Sequence, residues 1–213
     1  MSTKDRILDA AERLFARDGV EATSLRAITA EAGANLAAVN YHFQSKDALV
    51  SAVIMRRVAP VNERRLALLD ECEREAGNGP LPIEKVLDAF IRPVVEIFAS
   101  HARDFAPMMG RLYTEKFEHI EKIYRTHMAP VAERFIGAFQ RAVPGLPRTE
   151  VLWRLHFSLG AMSHTLAASH MLRLMSDGEC DPSDVEGTLK RLEAFIIGGL
   201  TAPVAEVTHH AVH

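Results

Sequence analysis

Apolar residues recur at helical spacing along nearly the whole chain, and the breaks between them predict about nine helices. Over residues 4–17, Ile7, Leu8, Ala11, Leu14 and Phe15 form one stripe, with Arg6, Asp9, Glu12 and Arg13 expected on the solvent side. Asp18-Gly19 stops that helix, because glycine takes the helix-ending backbone without a Cβ penalty. Ser24 to Phe43 reads SLRAITAEAGANLAAVNYHF. Leu25, Ile28 and Ala32 share a face, and Gly33 ends the helix. Asn35 then offers its side-chain oxygen to the open N–H groups of a second helix, from about Leu36 to His42. That helix turns Val39 and Phe43 inward. A fourth helix starts after Ser45, with Asp47 in its first turn, where the helix dipole favours a negative charge. Pro60 is expected to kink or end it, with a further helix to about Glu75.

AGNGPLP (76–82) reads as a loop. Residues 83–100 read as a helix with Val86, Phe90, Val94 and Ile97 inside and a kink at Pro93. A short helix is expected near 103–112. A long one follows from Thr114 to Val143, interrupted only at Pro130. PGLP (144–147) breaks the chain. Arg148 to Met175 reads as one long helix, apolar almost all round. SDGECDPSD is a loop, and the last helix spans about 184–200 before a frayed tail. No strand pattern, repeat or low-complexity segment is present. The expected fold is all-α. A domain at 1–48, with its helix-turn-helix at about 24–43, precedes a larger helical domain at 49–205.

Helix, glycine-containing turn, helix is the pattern whose second helix enters a DNA major groove. A plain helical hairpin has the same spacing. The exposed face separates the two readings: it starts small (Ala37, Ala38) and ends in Asn40, Tyr41 and His42, where a solvated face would carry Glu and Lys. Charge adds little. The 213 residues carry a net charge of −3, with 25 Lys/Arg against 28 Asp/Glu. Residues 1–60 hold eight Lys/Arg against seven Asp/Glu, so a nucleic-acid reading rests on local placement and on doubling the site in a dimer.

No apolar run approaches the roughly 20 residues that span a bilayer, and the N-terminus does not read as a signal peptide. Cys72 and Cys180 read as free thiols of a reducing cytoplasm. No P-loop, dinucleotide fingerprint or HExxH occurs, so the chain does not read as an enzyme. His209, His210 and His213 lie in the tail. His156, His164 and His170 lie along one helix without accompanying carboxylates, so no metal or cofactor is expected. Gly160, Ala161, Gly198 and Gly199 permit close helix approach. The last two long helices could therefore pair with their copies in a four-helix interface, with Gly160, His164, Leu189, Leu192, Phe195, Ile196 and Gly199 as its residues, or could be buried within one subunit.

From Ile7 to Leu49 the sequence ILDAAERLFARDGVEATSLRAITAEAGANLAAVNYHFQSKDAL resembles the TetR/AcrR family of bacterial transcriptional regulators. Phe43 with Ser45-Lys46 matches the family's aromatic-x-small-Lys junction. NLAAVNYHF also resembles the fatty-acid-responsive PsrA-like members. The larger domain matches mainly in helix number and length and in GRLYTE (110–115). The resemblance implies a homodimeric repressor that leaves a palindromic operator when a small molecule binds the larger domain. It implies that Tyr41 meets a base or its methyl, that His42 and Lys46 touch phosphates, and that Asn35, Leu36 and Ala37 meet base edges. Ser24 and Arg26 would hold the flanking backbone. Many members have tyrosine where this chain has Asn40, which can read adenine or reach a phosphate. A basic N-terminal arm is absent. The implied effector site falls among Phe90, Val94, Phe98, Met108, Leu112, Tyr124, Met128 and Phe157, lined for a fatty acid or acyl thioester. The competing reading is a helical hydrophobe carrier or helical enzyme; salt-dependent binding to the DNA upstream of its own gene separates the two.

Overall fold

The computed structural model describes residues 1–101 and 120–204, where the regular structure is helical. Helix α1 (Thr3–Asp18) starts in a reciprocal cap: the Ser2 hydroxyl accepts from the Asp5 N–H, and the Asp5 carboxylate accepts from the Ser2 N–H, both at 3.1 Å. The Ser2 hydroxyl also donates to the Asp5 carboxylate at 2.6 Å, and that bond, with the one from the Ser2 N–H, holds the Asp5 carboxyl below its usual range. Gly19, at φ 88°, ends the helix. The buried Thr23 hydroxyl donates to the Gly19 carbonyl at 2.6 Å and folds the turn back. Helices α2 (Leu25–Glu31) and α3 (Leu36–Phe43) come next, and α4 runs unbroken from Lys46 to Ala76. Pro60 therefore sits inside a continuous helix, although it cannot bond the Arg56 carbonyl one turn back.

Two cores share α4. The first joins Ile7, Leu14, Phe15, Ile28, Val39 and Phe43 to Leu49, Val53, Ile54 and Val58 of its first half. The second begins with Leu69 and Cys72 of its last turns. The division expected at residue 48 thus falls within a helix that both units use. Glu12, expected on the solvent side, is 2% exposed. It accepts from Arg57 at 2.9 and 3.2 Å and from Arg56, which also donates to Asp9 at 2.7 Å. A carboxylate on α1 is thereby clamped between two guanidiniums of α4, 44 and 45 residues away in sequence.

Around the second core, α5 (Ile83–His101) lies along α4 after the expected loop. A short helix α6 (Ile120–Ile123) passes through a π turn (Tyr124–Met128) into α7 (Ala129–Ala142). The helix expected near 103–112, the start of the one expected from Thr114, and the tail from residue 205 lie outside the described residues. The helix expected from Arg148 to Met175 divides into α8 (Arg148–Ala167) and α9 (Ser169–Met175), with a break at Ala168, φ −116°. Nothing in the Ala-Ala-Ser sequence there marks it. Helix α10 (Val185–Thr201) packs on α5 and α8. Among the described residues no helix is long and apolar enough to cross a membrane.

Removing the Glu12 carboxylate strands two partly buried guanidiniums. Glu12→Ala is expected to cost about 3 kcal/mol in urea unfolding, and Glu12→Gln somewhat less. A second electrostatic site lies where α10 meets α5. Burial, with Asp88 beside it, pushes the Glu193 carboxyl up to about 7, and its Oε1 is buried without a hydrogen-bond partner. Unfolded, the same group releases its proton near 4.5. Between those values the folded chain keeps a proton that the unfolded chain has lost, so stability falls as pH rises from 4.5 to about 7 and levels off above. Glu193→Gln, permanently neutral, is expected to match the native melting temperature near pH 4.5 and exceed it above about pH 7, as thermal scans across pH will show.

Candidate nucleic-acid interface

The two short helices are held by their own caps. The Ser24 hydroxyl accepts from the Ala27 N–H at 3.1 Å, and Asn35 Oδ1 accepts from the Ala38 N–H at 2.8 Å. Gly33, at φ 57°, supplies the left-handed residue between them. With Val39 and Phe43 fully or almost fully buried, α3 has one orientation on the first core. Its opposite side presents Leu36, Ala37, Asn40 and Tyr41, spaced i, i+1, i+4 and i+5 along one stripe and all exposed. Tyr41 is 84% exposed. Its ring meets His42 edge-on at 5.0 Å, and the half-buried His42 leans on Phe43 at 6.1 Å.

Ser24 and Arg26 lie at the start of α2, Arg26 exposed. Lys46 opens α4 beside the same face, its ammonium donating to the Glu21 carbonyl at 3.3 Å. Ser24, Arg26, Asn35, Leu36, Ala37, Asn40, Tyr41, His42 and Lys46 thus lie on α2, α3, their caps and the first residue of α4. Gln44, absent from the sequence reading, closes α3 at φ 67° and is exposed. The surface is small-featured at the start of α3, amide- and aromatic-bearing at its end, and flanked by one lysine and one arginine. It can approach a groove closely, hydrogen-bond base edges and neutralise phosphates.

Of the residues expected at the effector site in the larger domain, Phe90, Val94, Tyr124, Met128 and Phe157 have described side chains. Phe90 fills the second core, its ring 5.0 Å from Phe135 and 6.1 Å from Phe139, with the Arg65 guanidinium 4.4 Å over its face. Val94 packs half-buried beside it. Met128 packs instead on the first core, Tyr124 is half exposed, and Phe157 is 63% exposed on the outer face of α8. The Phe98 side chain, Met108 and Leu112 lie outside the described residues. A cleft of about 400 Å³ opens at the α8–α9 break, its lining mainly apolar (Val95, Leu166, Met171, Leu172, Met175, Val185) and including His164 and Thr165.

The outer faces of α8 and α10 also depart from expectation. Leu189, Leu192 and Ile196 are 2–7% exposed inside their own subunit, because they pack on the second core. Gly160, His164, Phe195 and Gly199 face outward. Trp153 and Phe157, which the sequence reading did not select for this face, stack at 5.7 Å and are both exposed. The spacing Trp153, Phe157, Gly160, His164 traces one helical stripe. The buried Arg154 on the opposite side donates to the carbonyls of Gly199, Leu200, Ala202 and Pro203 at 2.7–3.2 Å. It caps α10 and fixes the two outer faces relative to each other.

Residues 7–53 match the family model described as bacterial regulatory proteins, tetR family, and residues 88–199 match the tetracyclin repressor-like C-terminal domain. The HTH-type nicotine-responsive transcriptional repressor HdnoR of Paenarthrobacter nicotinovorans is 53% identical over 55 residues, 24% of this chain and 28% of that protein. The chain therefore aligns with little more than a quarter of that relative. A Clostridium perfringens protein named as a fatty acid metabolism regulator has the same fold at TM-score 0.63 and 18% identity, covering 91% of this chain and 97% of its own. The fatty acid degradation regulator FadR from Bacillus halodurans does so at 0.60 and 14%, covering 94% and 97%.

Asn35 is expected to act first as a cap. Asn35→Ala should cost about 1 kcal/mol in chemical denaturation and Asn35→Asp close to none, since either side-chain oxygen can take the Ala38 N–H.

Proposed function

The chain belongs to the TetR family of bacterial regulatory proteins, and on that premise we propose that it is a homodimeric repressor released from a palindromic operator by a small apolar effector. The observation that carries the DNA half is α3 itself: Val39 and Phe43 fix its inner side, leaving Leu36, Ala37, Asn40 and Tyr41 outward. In this reading Tyr41 meets a base or a thymine methyl and Asn40 reads adenine or reaches a phosphate. Asn35, Leu36 and Ala37 meet base edges at the helix start. His42, Lys46, Ser24 and Arg26 hold phosphates on either side, which fixes register without reading sequence.

The dimer reading rests on the exposed apolar face of α8 and α10. Trp153, Phe157 and Phe195 are 59–71% exposed, and Gly160, Gly198 and Gly199 leave room for a second copy to approach. A two-fold protein calls for two half-sites separated by whole helical turns.

For the effector, the apolar cleft at the α8–α9 break favours a long acyl chain, as a fatty acid or acyl thioester, over a charged metabolite. The names of the two regulators similar in fold lie in the same direction, as does the PsrA-like run NLAAVNYHF. The nicotine-responsive relative aligns over only 55 residues, so its effector carries no weight here. An effector acts only by its difference in affinity for the DNA-bound and released states, about 1–3 kcal/mol in most coupled systems. Titrating the protein–DNA complex with fatty acids, acyl thioesters and flat aromatic compounds tests this. Release by aromatics alone contradicts the acyl assignment, and tight effector binding with DNA affinity unmoved contradicts repression by release.

Tyr41→Ala is expected to weaken operator binding by about 1–3 kcal/mol and relax one base preference. Lys46→Ala should weaken all DNA alike and reduce the salt slope by about one. Fluorescence anisotropy at several salt concentrations distinguishes them. Phe195→Arg, on an exposed position, should give a folded monomer by sedimentation with little operator affinity; a native chain that sediments as a monomer at micromolar concentration contradicts the dimer.

A further inference from the structure

The first core takes side chains from outside α1–α4. Ile123, 8% exposed, belongs to that core, and Met128 packs against its edge. They bracket the π turn: Ile123 precedes it and Met128 ends it. The turn has a local cause. Pro130 has no N–H for the Thr126 carbonyl, and the Ala129 N–H bonds the carbonyl five residues back, at Tyr124. Such a turn holds one residue more than an α turn, so α6 is rotated by about 100° relative to α7. That rotation lets Ile123 face the DNA-binding unit while Phe135 and Phe139 of α7 face the second core.

A second thread ties the same turn to the larger domain. Asn62, on α4 just beyond Pro60, is 6% exposed. Its Nδ2 donates to Met128 Sδ at 3.7 Å, and its Oδ1 accepts from Arg65 at 3.4 Å. Arg65 in turn donates to the Phe90 carbonyl at 2.7 Å and lies over the Phe90 ring. Phe90 and Val95 share α5, with Pro93 between them, and Val95 lines the apolar cleft. A buried amide keeps its partners or suffers the full cost of desolvation, so Asn62 moves with Arg65 and Met128.

We propose that the seam of Ile123, Met128 and Asn62 is the contact through which packing in the larger domain sets the position of the DNA-binding unit, with Asn62 as its positioning residue. This rests on the regulator reading above. Pressure in the cleft moves α5 at Val95. Phe90 and its carbonyl shift under Arg65, and Asn62 then no longer holds Met128 against the first core. The π turn is the register device: without its extra residue Ile123 points elsewhere, and among the described residues α4 is left to join the two cores.

Deleting the exposed Thr126 removes that residue without touching either core. Hydrogen exchange on the full-length chain is expected to show α5, α7, α8 and α10 protected as before, with α1 and α3 amides exchanging at least about tenfold faster. Affinity for DNA enriched from a random pool should fall by about tenfold with its salt slope unchanged, because the phosphate contacts are the same. If the deletion variant shows no cooperative transition, Ile123→Ala and Asn62→Leu decide by the same local exchange. Unaltered α1–α3 protection in a folded deletion variant, or in both substitutions, overturns the proposal. Faster α1–α3 exchange in a protein that enriches no DNA supports the seam and overturns the regulator reading, because exchange is read without DNA.

Discussion

The arrangement depends on one buried carboxylate. Glu12 leaves water almost completely, a loss that only close, well-formed partners offset. It finds them in Arg56 and Arg57, consecutive residues of α4; Arg56 Nη1 also donates to Asp9, while its buried Nε has no hydrogen-bond partner among the described residues. Consecutive residues point about 100° apart on a helix. Glu12 is therefore gripped from two directions, and α1 can neither slide along α4 nor roll on it without stranding a charge. The exposed Arg13–Glu31 pair then joins α1 to α2 at 2.9 Å. Through α1 and the apolar contacts beneath it, the pose of α3 is set by α4.

That dependence gives α4 its importance. Its 31 residues extend for about 46 Å. Lys46 is at the α3 end, the clamp two to three turns along, and the second core takes over near Leu69. A tilt of about 5° over that length carries one end by about 4 Å, more than a phosphate contact tolerates. Because α8 and α10 belong to the second core and carry the outward apolar face, a change there would alter the separation of the two α3 helices in the proposed dimer. A palindromic site accepts little such change.

The N-terminal unit was legible because its stops are local. Gly19, Gly33, Asn35 and Ser45 each end or start a helix by their own backbone or side-chain chemistry, and the pattern of Val39 and Phe43 shows which side of α3 is inward. The clamp was not legible. A charged residue on an amphipathic helix is placed outward by periodicity, and the partners that reverse this for Glu12 come 44 and 45 residues later. The larger domain resisted for another reason. With α8 apolar nearly all round, spacing cannot tell the inner stripe from the outer. Phe157 was accordingly assigned inward although it faces out, and Leu189, Leu192 and Ile196 were offered to a partner although their own core takes them. The break at Ala168 has no breaker residue, and the cleft it opens is lined by residues that no sequence pattern gathers.

The central claim is that the outward face of α3, doubled by two-fold symmetry, reads DNA. Selection of binding sites from random-sequence DNA, with sedimentation of the bound complex, tests it without knowing the effector or the regulated genes. The expected result is one two-fold symmetric consensus, bound by an even number of chains, at least about 10³-fold tighter than random DNA at the same salt. A pool that does not enrich, or a consensus without symmetry bound by a single chain, would contradict it.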